Sequence, residues 1–331
     1  MRLVNGSNLA GLVRRTVMGM LLAIAAGILV IALATPAPPV SEPVFPVPAS
    51  VTALDEALAA AEARVPDLRP GSERRVVWAD AARGSRKPLA LVYLHGFTAT
   101  RQEVAPVADR AAAALGANLY YARVPGHGRT ADAMAEATLE GWQREGENAL
   151  AIGHLLGERV VLMGTSTGGT LATWLAARHP DVAAVVLVSP NYGPQAAGAD
   201  LAALPGGQGL VRLVQGNYRE YATHGLLHAQ HWTARYSTMA IPPMMRLVNA
   251  ARAIDPATIQ VPVIAFYSPR DTVVRPDAVE QRVARWGASL KRLVAVETQD
   301  PDRHVLAGDA LSPGTTAQVT AAIVEFVRAL P

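Results

Sequence analysis

Short apolar runs alternate with segments of helical periodicity over most of the chain, and that alternation leaves few folds open. "LALVYLH" at 89–95 is apolar without a break, as a strand buried on both faces must be. "ANLYYARV" (117–124), "RVVLMG" (159–164), "AAVVLVS" (183–189), "VPVIAFYS" (261–268) and "KRLVAVE" (291–297) read as further strands. "EVAPVADRAAAALG" (103–116) and "LEGWQREGENALAIGHLLG" (139–157) read as helices between them. Strands separated by helices of this length predict an α/β fold, a mostly parallel sheet flanked by helices on both faces. "SERRVVWA" (72–79) opens this unit, behind a short helix in "ALDEALAAAEARV" (53–65).

One strand-to-helix junction carries chemistry. Gly164, Ser166 and Gly168 make G-x-S-x-G between the strand ending at 164 and a helix opening near Thr167. A turn that sharp strains the serine backbone and brings neighbouring chain so close that small residues are needed on either side. It leaves a hydroxyl exposed at the carboxyl end of the sheet, in front of a helix amino terminus that favours developing negative charge. The bland alternative is a glycine-rich turn capped by a serine.

A serine hydroxyl is a weak nucleophile, so this reading requires a histidine base and an acid to orient it. Asp271 in "FYSPRDTVVRP" lies just past one strand, and His304 in "QDPDRHVLAGD" just past the next. Asp300 and Asp302 are rivals for the acid, but they stand so close to His304 that they read as loop residues. For a tetrahedral oxyanion, "LHGFTAT" offers the backbone NH of Phe97, paired with that of Thr167. His95 and Gly96 would shape the turn that aims the first of these.

Taken together, "YLHGFTATRQEV", "ARVPGHGRT", "GTSTGG", "YSPRDTVV" and "DRHVLAGDALSP" occur in an order that resembles the α/β-hydrolases of the carboxylesterase and monoacylglycerol-lipase type. The resemblance runs from about residue 72 to 330. It implies an α/β-hydrolase core formed by 72–190 and 258–331, with Ser166 as nucleophile, Asp271 and His304 completing a triad, and Phe97 and Thr167 as oxyanion donors. His127 would organise its loop rather than react. The resemblance also implies that 191–257, too long for a connecting loop, is an inserted cap over the active site. Tyr218, Tyr221, Trp232, Met244 and Met245 in or beside that segment would line an apolar, substrate-binding pocket, unless they are simply the cap's own core.

"HGLLHAQH" sets His224, His228 and His231 at helical spacing, which is compatible with zinc. An acidic fourth ligand and the H-E-x-x-H base are both missing, so a polar cap surface or pocket rim is the reading preferred, with no metal and no cofactor.

The amino-terminal part differs in kind. Arg14 and Arg15 precede an uncharged apolar run over 17–34, about the minimum for a membrane span, and "ALA" at 32–34 looks like a cleavage site. Residues 1–34 are therefore expected to be a membrane anchor or a signal peptide cleaved after Ala34. The positive-inside rule would place the remainder outside the cytoplasm, on the periplasmic side. Residues 35–50, dense in proline, read as an extended linker. The chain has no cysteine, so the exported part must stand without disulfides. Among 331 residues of net charge +3, Lys87 and Lys291 are the only lysines and the arginines are scattered, which argues against nucleic acid as a partner. An ester or lipid is the expected substrate. A peptidase, thioesterase or acyltransferase with the same triad, or a catalytically inactive membrane-tethered binding module, remain alternatives.

Overall fold

The computed structural model describes residues 6–33, 45–80 and 84–331. The chain begins with α1 (Gly6–Leu33) and α2 (Leu54–Glu62), then runs through β1 (Arg75–Val77), β2 (Lys87–Leu94), α3 (Val107–Leu115), β3 (Asn118–Tyr121), α4 (Leu139–Leu156), β4 (Gly157–Thr165), α5 (Thr167–Ala176) and β5 (Ala184–Val188). It then forms α6 (Gly207–Gln215), a hairpin of β6 (Tyr218–Glu220) and β7 (Arg235–Ser237) enclosing α7 (Leu226–His231), and α8 (Ile241–Arg252). It closes with β8 (Val263–Tyr267), α9 (Pro276–Ala284), β9 (Lys291–Ala295) and α10 (Thr316–Arg328).

Seven strands form one sheet in the order β1-β3-β2-β4-β5-β8-β9, all parallel except β1, which runs antiparallel to β3. Successive side chains of a strand point to opposite faces, and the central strands use both. Ala90, Val92 and Leu94 of β2, with Val160 and Leu162 of β4, pack in one core beside Trp142, Leu171 and Leu175. Leu91, Tyr93, Val161 and Met163 pack in the opposite core with Val107, Ile323 and Phe326 of α3 and α10. The parallel register pairs Val92 with Leu162 and Thr165 with Val188, so the strand ends that carry the site lie side by side.

The helix expected over 103–116 starts only at Val107, after a short 3-10 turn at Arg101–Val104. Pro106 disfavours helical backbone at the residue before it, and Ala105 is extended at φ −59°, ψ 135°. In the expected cap, 191–257, α8 packs on α5, and Met245, Leu247 and Val248 belong to the main core, so this part of the segment is continuous with the body built on the seven-stranded sheet.

Among the described residues no helix is long and apolar enough to cross a membrane. In α1, side chains are described only for 11–27, so the expected run 17–34 lies partly outside them, and the membrane helix is without support here. Of the expected linker 35–50, residues 35–44 also lie outside the described residues. Its far end is not a free spacer: Phe45 is buried in the core and its carbonyl accepts from Asn148 Nδ2 at 3.0 Å. Leu54, Leu58 and Glu62 of α2 are likewise buried. Phe45 and these α2 residues thus join the core ahead of the boundary expected at residue 72.

Candidate active site

Ser166 alone connects β4 to α5. Its φ of 50° and ψ of −115° lie in a region that L residues rarely adopt, as the strand-to-helix turn demands. Its amide donates to Val188 O at 2.9 Å and holds the turn against β5. A Cβ on Gly168 would lie 2.0 Å from Leu94 O, and one on Gly164 would lie 2.4 Å from Gly168 O. Neither position can hold a side chain without moving backbone, which is the physical content of the two motif glycines.

Asp271 stands in the loop after β8, and His304 in the loop after β9. His304 Nδ1 and Asp271 Oδ2 are 2.8 Å apart. Asp271 Oδ1 accepts from the amides of Val273 and Val274 at 2.8 and 2.9 Å, so one oxygen is fixed by backbone while the other faces the imidazole. Burial alone would lower the basicity of His304, but the Asp271 carboxylate beside it, joined by Asp300, outweighs that and holds the imidazole above its ordinary pKa. The rival acid Asp300 has another task. Its Oδ2 accepts from the amides of His304 and Val305, each at 2.8 Å, and shapes the loop that presents His304. Asp302 ties the two loops together, its carbonyl accepting from Thr272 N at 3.0 Å.

Phe97 follows the end of β2. His95 fixes the turn before it: Nε2 accepts from Val124 N at 3.0 Å, so Nδ1 carries the proton and donates to Gly96 O at 2.9 Å. Burial pushes the His95 pKa down to about 4, which keeps this neutral tautomer. His127 packs on both His95 and Phe97, with ring centroids 4.9 and 5.9 Å apart, and burial keeps it neutral as well. Beneath the same turn lies Glu103, whose Oε1 accepts from Gly96 N and from Tyr93 OH. Glu103 lies near the end of "YLHGFTATRQEV", on the 3-10 turn Arg101–Val104, but nothing in the sequence marks its side chain as meeting Gly96 and Tyr93.

Ser166, Thr167, Phe97 and His304 line one cavity of about 930 Å³. That lies within the range of small-molecule sites. Tyr221, Trp232, Met244 and Met245 line it too, as do Ile241 and Leu311, so its wall is largely apolar. Tyr218 is not among the lining residues, which corrects the expectation for it. It is an exposed residue of β6 whose hydroxyl donates to Asp132, with the Arg235 guanidinium over its ring. The three cap histidines do not share a helical face, because α7 begins only at Leu226, after Gly225 with φ 90°. The backbone NH of His224 instead donates to His228 Nδ1 at 3.1 Å, and His228 packs edge-on against Trp232. Among the described residues no cluster suited to a metal ion is present.

A seven-stranded sheet with a strained serine turn, a buried acid–imidazole pair and an apolar cavity over them defines a hydrolase of the α/β type. The family model for the Alpha/beta hydrolase family matches residues 91–319, and the chain belongs to that family. Within it, the chain is carboxylesterase- and lipase-like. In sequence it is similar to the thermostable monoacylglycerol lipase of Bacillus sp. (strain H-257), 26% identical over 226 residues that cover 66% of this chain and 87% of that protein. In fold it is similar to a structure from work on two metagenome-derived lipolytic enzymes, LipS and LipT, with a TM-score of 0.66, 19% identity and coverage of 79% of this chain and 99% of that one. A soluble variant of monoglyceride lipase from Saccharomyces cerevisiae, solved with a substrate analogue, superimposes with a TM-score of 0.57 at 13% identity, over 77% of this chain and 91% of that one.

Proposed function

We propose that the chain is a serine hydrolase that cleaves carboxylic esters, of short to medium acyl chains or of the monoacylglycerol kind, through an acyl-enzyme. The observation that carries this reading is that Ser166, on its strained turn, and His304, paired with Asp271 at 2.8 Å, line one largely apolar cavity. In this reading His304 takes the proton from Ser166 as Oγ attacks the ester carbonyl, and the amides of Phe97 and Thr167 hold the oxyanion. The imidazolium then protonates the departing alcohol, and a water activated by His304 releases the acid. The similarity to a monoacylglycerol lipase favours the lipid side of this range.

The test is a panel of p-nitrophenyl esters of rising chain length beside aminoacyl anilides. Esters should be turned over and Ser166 labelled by a fluorophosphonate. Ser166→Ala should lose both, activity falling about 10⁴-fold or more, with the fold retained. A clear preference for anilides would make the chain a peptidase, and labelling that persists in the variant would move the nucleophile elsewhere.

We further infer that the apolar run 17–34 holds the chain to a membrane, or directs its export and is removed, with the hydrolase on the extracytoplasmic side. Arg14 and Arg15 before the run support that orientation. Protease added after the outer barrier of a bacterial host is opened should digest the hydrolase. Protection at that stage would place it in the cytoplasm, and a mature chain beginning at Thr35 would identify a cleaved signal.

A further inference from the structure

Glu103 is a buried carboxyl that the proposed reaction does not use, and it lies against the machinery of that reaction. Only 3% exposed, it is held by Tyr93 OH at 2.7 Å and by Gly96 N at 2.5 Å, both on Oε1. Tyr93 in turn bonds Thr165 Oγ1 at 2.9 Å, one residue before the nucleophile. The other oxygen faces the site: a Cβ on Gly96 would lie 2.8 Å from Glu103 Oε2 and 3.3 Å from Ser166 Cβ. The carboxyl and the nucleophile thus both approach the side of Gly96 where a Cβ would stand, and Gly96 is the residue whose peptide link carries the Phe97 amide.

We propose that Glu103 is the positioning residue of the oxyanion loop, and that its charge gates the reaction: the neutral acid holds the Gly96–Phe97 turn in place, and the ionised form opposes the developing oxyanion. This rests on the serine-hydrolase reading above. Because Oε1 already takes two donors, the proton of the neutral acid sits on Oε2, toward the site. Removal of that proton puts a buried negative charge beside the place where a second must form, in surroundings that screen it poorly. Burial pushes the Glu103 carboxyl up to about 8, against the pull of Tyr93, Gly96 and His304.

Its titratable neighbours do not compensate. Burial holds the Tyr93 phenol well above its usual value, and Tyr221 is raised as well, so both stay neutral. His228 and His231 on α7, which packs against the turn bearing Glu103, are lowered by burial and carry no charge where Glu103 ionises. Arg101 of the same turn lies over the Tyr121 ring, 5.4 Å from its centroid. Asp309 touches the chain just beyond through its amide, which donates to Ala105 O. His304 is the remaining titratable neighbour, and as the base it is neutral in the active form.

The experiment measures, on the full chain, kcat/KM for p-nitrophenyl butyrate and the rate of Ser166 labelling by a fluorophosphonate, from about pH 6 to about pH 10. The unmodified chain should lose about tenfold between about pH 7 and about pH 9 in both readouts, as one group near 8 ionises. Glu103→Gln, an isostere of the neutral acid, should keep the rate near pH 7 within about threefold and abolish the fall. Glu103→Ala should lose about 10²-fold in kcat at every pH with little change in KM, the scale of a lost oxyanion donor. An unchanged alkaline fall in Glu103→Gln, a flat profile in the unmodified chain, or a folded Glu103→Ala that matches Glu103→Gln overturns the proposal while leaving the hydrolase reading intact. Failure of the unmodified chain to label at all overturns both.

Discussion

In the proposed mechanism, His304 is the residue whose protonation state decides whether Ser166 can act. A general base must be neutral to accept a proton, and the Asp271 carboxylate beside His304 stabilises its charged form. The folded imidazole therefore gives up its proton at a higher pH than an isolated one, and the acid limb of kcat/KM should have its midpoint above about 6.5. Asp271→Asn removes the charge but preserves the shape. Its acid limb should move to lower pH while kcat falls about 10⁴-fold, because the amide no longer holds the productive tautomer. A pH–rate profile with the same midpoint in both proteins would show that Asp271 does not set the basicity of His304. Asp300 provides the contrast at this scale, an acid in the same loop whose carboxylate is occupied by two backbone amides. Its closeness to His304 in the chain makes Asp300 read as a loop residue, and the hydrogen bonds it accepts from the His304 and Val305 amides are those of one.

The strands and the serine turn were legible because each depends on neighbours in the chain: an unbroken apolar run marks β2, and paired glycines mark a backbone approach that only glycine permits. What was not legible depends on sheet register and side-chain direction. Glu103 meets Tyr93 and Gly96 only because its 3-10 turn folds back beneath the end of β2. Tyr218 and Tyr236 sit in the two strands of one hairpin, yet only Tyr236 lines the cavity, a distinction of strand face that aromatic content cannot make. The spacing of His224, His228 and His231 suggested one helix face, and the helix start after Gly225 breaks it. Along α8, Met244 and Met245 both line the cavity, Met245 with no exposed surface and Met244 at its more open edge with its sulfur 3.4 Å from Asn191 Nδ2. Met244→Ala should therefore widen the acyl site and shift the preferred p-nitrophenyl ester to longer chains, each added methylene being worth about 0.8 kcal/mol. An unchanged chain-length profile would remove Met244 from the acyl wall.

At the scale of the whole molecule, the hydrolase depends on a segment ahead of its first strand. Glu62 of α2 pairs with Arg74, ahead of β1, and with Arg123, beyond β3, and Arg74 also pairs with Glu145 of α4, all four side chains being buried. Burial alone would raise the Glu62 pKa, but the two guanidiniums outweigh it and hold the carboxyl below its ordinary value. The stability that Glu62 contributes is thus present above about pH 4.5 and is lost as pH falls through the lower folded value. Leu54, Leu58 and Phe45 fill the core beside this cluster. Two truncations should behave very differently as a result. A chain starting at residue 45 keeps every one of these contacts and should fold, melt cooperatively and label at Ser166. A chain starting at residue 72 withdraws the carboxylate from two buried guanidiniums, a change that costs about 3–5 kcal/mol for a broken buried pair. It also uncovers apolar core. Because that cost is comparable to the whole stability of many domains, the shorter chain should be insoluble or melt far lower. Equal melting temperatures for the two, measured by circular dichroism, would show that the hydrolase is complete from residue 72 and that residues 45–71 merely rest on its surface.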